Sequence, residues 1–255
     1  MSLYNKASLI QVPSLYKDGL LVSTVPEDRS GDFTVARGSN LSATRIGEDG
    51  YIKKGYENLL LQSNNFSDTA WINLRVSSTP NQLGYDGTND AWKIECIVAG
   101  KSRLDQLVSI SGVNTISFYA KAGTANYVIA LVDSGADPRV WFNLSTGTIE
   151  SSVSNIHTSI ESAGNGWYRC SMAFDITSSV IYLQVGNTNN NLNADIGDNI
   201  YIQDAQLNQG LVAYPYLETT TAPAQGGLLE NTPRLDWSNG VPAVKIEESR
   251  TNLMY

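Results

Sequence analysis

Between residues 91 and 207, apolar side chains recur at every second position in short runs broken by turn residues, and this pattern limits the fold more than any other feature. Ile116, Phe118 and Ala120 alternate with Ser117, Tyr119 and Lys121, so a strand there turns one set inward and the other outward. Similar runs occupy residues 91–98, 103–110, 127–132, 139–144, 167–174, 180–185 and 199–207, separated by Gly, Asn, Asp and Pro clusters. Strand signals at intervals of roughly 8–12 residues predict an all-β chain, folded as a two-sheet antiparallel sandwich or jelly roll. Asn165-Gly166, ahead of the run that starts at Trp167, predicts a tight hairpin. With 42% hydrophobic residues the chain can build an ordinary core, and with 16% charged residues it suits polar turns better than helices.

Texture divides the 255 residues into three zones. Residues 1–55 are polar and punctuated by Pro13, Pro26, Gly31, Gly38, Gly47 and Gly50, which leaves no room for a helix of three turns. This zone is expected to be extended and to pack against a partner or a sister chain. Residues 56–217 carry the sandwich. Residues 218–255 open with Thr219, Thr220, Thr221, Ala222 and Pro223, then Gly226-Gly227, and read as a linker with a short tail. The tail from Glu248 to Tyr255 faintly echoes Gly55 to Leu61 through an Asn-Leu-apolar step.

The net charge of -8 argues against direct nucleic-acid binding, which needs clustered Lys and Arg. No run of about 18 apolar residues predicts membrane insertion, and the start shows no basic end followed by an apolar core. Cys96 and Cys170 lie in apolar runs without metal-ligand spacing; a disulfide between neighbouring strands is geometrically allowed, but buried thiols are the expectation. His157, the sole histidine, is flanked by Ile156, Thr158 and Ser159, which offers no nucleophile elbow and no metal spacing. Asp133, Asp137, Glu150, Glu161, Asp195 and Asp198 read as solvated turn and strand acids rather than a hydrolytic pair. No enzyme and no cofactor are expected. The Asn-rich loop over residues 187–199 offers oxygen ligands for calcium, without the spacing of a dedicated calcium loop.

Ala43-Thr44-Arg45 with Asp49-Gly50-Tyr51-Ile52, Glu57-Asn58-Leu59-Leu60-Leu61-Gln62-Ser63 with Phe66 and Trp71, and Phe118-Tyr119-Ala120-Lys121-Ala122-Gly123 follow one another along the chain. Phe142-Asn143-Leu144, Gly164-Asn165-Gly166-Trp167-Tyr168-Arg169-Cys170, Tyr201-Ile202 with Ala205-Gln206-Leu207, Tyr214-Pro215-Tyr216 and Pro233-Arg234-Leu235-Asp236-Trp237 continue the series. In this order the stretches resemble bacteriophage tail- and head-fibre proteins whose domains look like carbohydrate-binding modules of the jelly-roll type. The resemblance implies a structural virion protein made in the host cytoplasm: a fibre or spike subunit, first a trimer and second a dimer, that binds other capsid or tail proteins. Leu3, Leu9, Ile10, Leu15 and Leu20 would anchor it by entering grooves of a partner. The tail would lead into a further module.

The alternative is a module that recognises host surface glycans, with a polysaccharide depolymerase as a weaker third reading. A sugar site needs planar aromatic groups, and the candidates are Tyr85, Trp92, Tyr119, Tyr127, Trp141 and Trp167. Among them Tyr119, Tyr127 and Trp141 are the expected contacts. Tyr119 is the foremost, because its alternation partners Ser117 and Lys121 are polar.

Overall fold

The computed structural model describes residues 6–17, 20–34, 45–46, 52–53, 57–225, 235–236, 238, 240 and 243–244. It divides into two units, one formed by residues 1–56 and 225–255 and the other by Glu57–Ala224. In the first unit, β1 (Ile10–Lys17), β2 (Leu20–Val25) and β3 (Phe33–Thr34) form an antiparallel sheet in the order β1-β2-β3. Within the segment expected to be extended, residues 10–17, 20–25 and 33–34 are therefore paired strands. Leu21 is buried on β2, and the Asp32 carboxylate accepts from the Ser23 amide and hydroxyl. Short pairs complete the unit: β4 (Arg45–Ile46) with β5 (Ile52–Lys53), and β20 (Leu235–Asp236) with β21 (Ala243–Val244).

The second unit is the all-β sandwich. Its strands are β6 (Glu57–Asn58), β7 (Trp71–Leu74), β8 (Val76–Gln82), β9 (Ala91–Cys96), β10 (Arg103–Ile110), β11 (Val113–Ala122) and β12 (Tyr127–Asp133), followed by β13 (Arg139–Asn143), β14 (Thr148–Val153), β15 (His157–Gly164), β16 (Trp167–Asp175), β17 (Ser178–Gly186), β18 (Asn199–Gln209) and the boundary strand β19 (Ala224–Gln225). Two six-stranded antiparallel sheets result. Sheet one runs β14-β13-β12-β17-β10-β7 and sheet two runs β15-β16-β11-β18-β9-β8. Among the described residues there is no α-helix.

Alternation decides which side chains meet between the sheets. Ile116, Phe118 and Ala120 of β11 join Cys170, Met172 and Phe174 of β16 and Ile200, Ile202 and Leu207 of β18 in the core, facing Val128, Ala130, Phe142 and Leu183 of sheet one. Phe118 and Phe142 meet edge to face across the layers, with centroids 6.0 Å apart, a geometry that adds to their burial. Phe66 closes one end of the core against Trp71 and Trp92. Asn165 and Gly166 both take positive φ, 52° and 79°, between the paired Gly164 and Trp167, which is the two-residue turn that matches strand twist.

Cys96 and Cys170 are free and buried. They sit on β9 and β16, which β18 and β11 separate, so about three strand spacings of ~4.8 Å lie between them and a disulfide is out of reach.

The Asn-Leu-Leu step is a structural clasp. Asn58 Nδ2 donates to the carbonyls of Ala205 and Leu217 at 3.0 and 2.9 Å, while its Oδ1 accepts from the amides of Leu60 and Leu207, both at 3.1 Å. Glu57 accepts from the Gln209 amide. Ser63 bonds the Tyr216 hydroxyl at 2.7 Å and accepts from the Thr219 amide. Thr219, which opens the stretch read as a linker, is buried and donates to the Leu60 carbonyl at 2.7 Å.

Candidate functional site

The outer face of sheet two carries two rows of side chains set by strand register. In the first, Lys121 on β11 pairs with Tyr201 on β18, and Tyr201 pairs with Lys93 on β9. Two residues along, Glu161, Arg169, Tyr119 and Gln203 form the second row across β15, β16, β11 and β18. The alternation that sends Ile200 and Ile202 inward sends Tyr201 and Gln203 out.

A β-bulge interrupts this face. Ser117 pairs with Gln206 but Tyr119 pairs with Gln203, so Asp204 and Ala205 oppose the single Phe118, and Asp204 takes a φ of 56°. Ala205 fills the core while Asp204 is re-aimed. Its Oδ2 accepts from the Tyr85 hydroxyl at 2.9 Å, and its amide donates to Asn64 Oδ1 at 3.2 Å. Burial pushes the Asp204 carboxyl up to about 7; the Tyr85 hydrogen bond opposes the shift, and Asp90, Asp86 and Glu218 add to it. The same burial raises the Tyr85 hydroxyl above its usual range, so it remains a donor.

The segment over residues 83–90 folds onto the bulge. Gln203 Oε1 accepts from the Tyr85 amide at 3.1 Å, and its Nε2 donates to Asp90 Oδ1 at 2.6 Å. Gly84 lies so close to the Gln203 amide group that a Cβ there would overlap it. These bonds lay the Tyr85 ring parallel to Tyr119, with centroids 3.6 Å apart and planes within 7°. Arg169 stands 5.9 Å from the Tyr119 centroid.

Beside the stacked tyrosines lies a cleft of about 570 Å3, lined by Gln82, Leu83, Lys93, Lys121, Thr124 and Tyr201 among others. Its size is that of a small-ligand site. Tyr201 is half-buried between the two lysines, and Leu83 is 65% exposed at the rim. Asn199 on the cleft wall donates to the Thr124 hydroxyl and the Gly197 carbonyl, which ties that wall to the neighbouring turns. A second hollow, beside His157, Glu161, Arg169 and Leu211, measures about 140 Å3 and is too small for a sugar ring with its shell of contacts.

The three expected sugar contacts do not come together. Tyr119 points outward on sheet two as its alternation requires, but Tyr85 covers one of its faces. Tyr127 and Trp141 belong to the outer face of sheet one. The Tyr127 hydroxyl donates to Glu150 at 2.8 Å. Trp141 is 3% exposed, and its Nε1 donates to the Asn191 carbonyl at 3.1 Å, so its expectation as a sugar contact is corrected to a packing role. The Asn-rich loop spends the Asn191 and Leu192 carbonyls on Trp141 and Gln184, and among the described residues no cluster of acids, histidines or cysteines has metal-binding geometry. Trp92 and Trp167 are buried. Of the expected anchoring residues, Leu9 is 44% exposed, Ile10 and Leu20 are half-buried, Leu15 lies on β1, and Leu3 falls outside the described residues.

Lys121 and Tyr201 stand in the fibre-like motifs, but the sequence marks none of Tyr201, Lys93, Lys121 and Gln203 as a contact. The signal was present for Tyr201 and Gln203, because the run over residues 199–207 alternates like the one around Tyr119.

No family model matches the chain. No curated protein matches it either. Among solved structures, it is similar to a family 29 carbohydrate-binding module at 13% identity and a TM-score of 0.36, over 60% of this chain and 91% of that one. It is also similar to a family 61 carbohydrate-binding module in complex with β-1,4-galactotriose, at 15% identity and a TM-score of 0.38, over 60% and 99%. A third is the enzymatically active domain of a bacteriophage CBA120 tailspike protein, at 14% identity and a TM-score of 0.33, over 58% of this chain and 20% of that one.

Proposed function

We propose that the sandwich is a carbohydrate-binding module whose glycan lies across the outer face of sheet two. The supporting observation is the half-exposed Tyr201, set in a cleft of about 570 Å3 among amide, hydroxyl and ammonium groups, with a stacked tyrosine pair one row away on the same face. Sugars present apolar C–H faces ringed by hydroxyls, and an aromatic plane surrounded by fixed hydrogen-bonding groups answers both. The role is binding rather than hydrolysis: Asp204, the one acid beside the tyrosine pair whose carboxyl is raised to about 7, is 7% exposed and bonded to Tyr85. An open site of this kind corresponds to about -4 to -6 kcal/mol, roughly millimolar to tens of micromolar. Affinity electrophoresis in a panel of host-surface polysaccharides tests the reading. Tyr201→Ala should weaken retardation at least about tenfold and Tyr127→Ala should leave it unchanged; no retardation by any glycan, or loss with Tyr127→Ala alone, would contradict it.

A second reading, that the module is mounted on a phage particle as a fibre subunit, draws on the ordered fibre-like motifs and on the first unit, where Leu9 and Phe33 are 44% and 46% exposed. Such side chains suit contact with capsid or tail proteins or with sister chains. Leu9→Glu with Phe33→Glu in the full chain should abolish oligomer formation and particle attachment and leave glycan binding intact. Unchanged assembly would count against this role.

A further inference from the structure

The chain carries a net charge of -8, yet the cleft around Tyr201 is lined by two lysines and no carboxylate. Lys121 and Lys93 stand one strand to either side of Tyr201, in direct register, so their strands are about 10 Å apart with the aromatic ring between them. Lys93 donates to Glu95 at 2.6 Å. Lys121 makes no ion pair among the described residues, and Ala122, Gly123 and Thr124, which follow it along the cleft wall, bring no negative charge. We infer that the cleft selects glycans bearing an anionic substituent, a sugar carboxylate or a sulfate ester, which Lys121 receives while the ring rests against Tyr201.

This inference rests on the glycan-binding reading of the same face and sharpens it to a substrate class. The position of the lysines fits the role. A substituent on a ring over Tyr201 reaches Lys121 on one side or Lys93 on the other, and the Lys93–Glu95 pair makes Lys121 the stronger attractor. An exposed ammonium–carboxylate contact changes affinity by up to about fivefold, and salt screens it. The remainder of the acidic surface repels polyanions at long range, so discrimination should come from the dissociation rate and from contact rather than from steering.

The test uses the full chain titrated with polygalacturonate, alginate and hyaluronan oligosaccharides, with the carboxyl-reduced form of each, and with a sulfated galactan. At low salt at least one acidic oligosaccharide should bind about three- to fivefold tighter than its reduced form, with the preference fading at about 0.5 M salt. Lys121→Gln should erase the preference while the reduced form binds as before, and Lys121→Arg should retain it. Preference for the uronates alone identifies carboxylate as the group read, and preference for the galactan alone identifies sulfate. Equal binding of charged and neutral forms by the wild type, or a preference that survives Lys121→Gln, overturns the inference while leaving glycan binding standing. Absence of binding by every form overturns both.

Discussion

Asn58 shows how much one buried amide can carry. All four of its hydrogen bonds go to backbone groups in three other parts of the chain, at Leu60, at Ala205 and Leu207 of β18, and at Leu217. Truncation would leave two carbonyls and two amides short of partners inside the protein, at about 1–3 kcal/mol for each group left unsatisfied. Asn58→Ala should therefore lower unfolding free energy by more than about 3 kcal/mol in urea titration; a loss under about 1 kcal/mol would refute the clasp. Asp204 makes a pH-dependent contribution. Its folded carboxyl titrates at about 7, above the ordinary value of 3.8, so the native state holds a proton that the unfolded chain has released. Stability from this group is full below about pH 4 and is lost as pH rises through about 7, by up to about 4 kcal/mol. Asp204→Asn should flatten that slope while the Tyr85 hydroxyl keeps an acceptor. A wild-type profile that rises over this interval would contradict the assignment.

At the level of elements, the core strands were legible and the β7–β8 edge was not. The runs at residues 103–110, 127–132 and 199–207 became β10, β12 and β18 because they are covered by neighbours on both sides and must alternate. β7 and β8, the outermost strands on one side of the sandwich, went unread. Their solvent-facing positions relax the apolar requirement, as Asn73, Pro80 and Asn81 show. The site was half legible for a related reason: alternation pointed Tyr119 outward, but only tertiary folding brings Tyr85 onto it from a separate loop through Gln203 and Asp204. Trp141 illustrates the converse. It faces away from the main core, yet it is buried, and the loop over residues 187–198 meets it at the Asn191 carbonyl. Trp141→Ala should cost about 3–5 kcal/mol in thermal or chemical unfolding and leave glycan affinity of the folded protein unchanged; reduced affinity without loss of stability would return Trp141 to the binding surface.

For the whole molecule, the two sheet faces have different assignments. The outer face of sheet one is partly closed by its own loop, whereas that of sheet two holds the tyrosine pair, the two lysines and the cleft around Tyr201. Backbone and side-chain chemical-shift mapping during titration with a bound oligosaccharide reads this division directly. The account predicts shifts concentrated at Leu83, Lys93, Lys121, Thr124 and Tyr201, with Tyr127, Trp141 and the 187–198 loop unmoved. Shifts centred on Tyr127 and Glu150, with the cleft around Tyr201 silent, would contradict it.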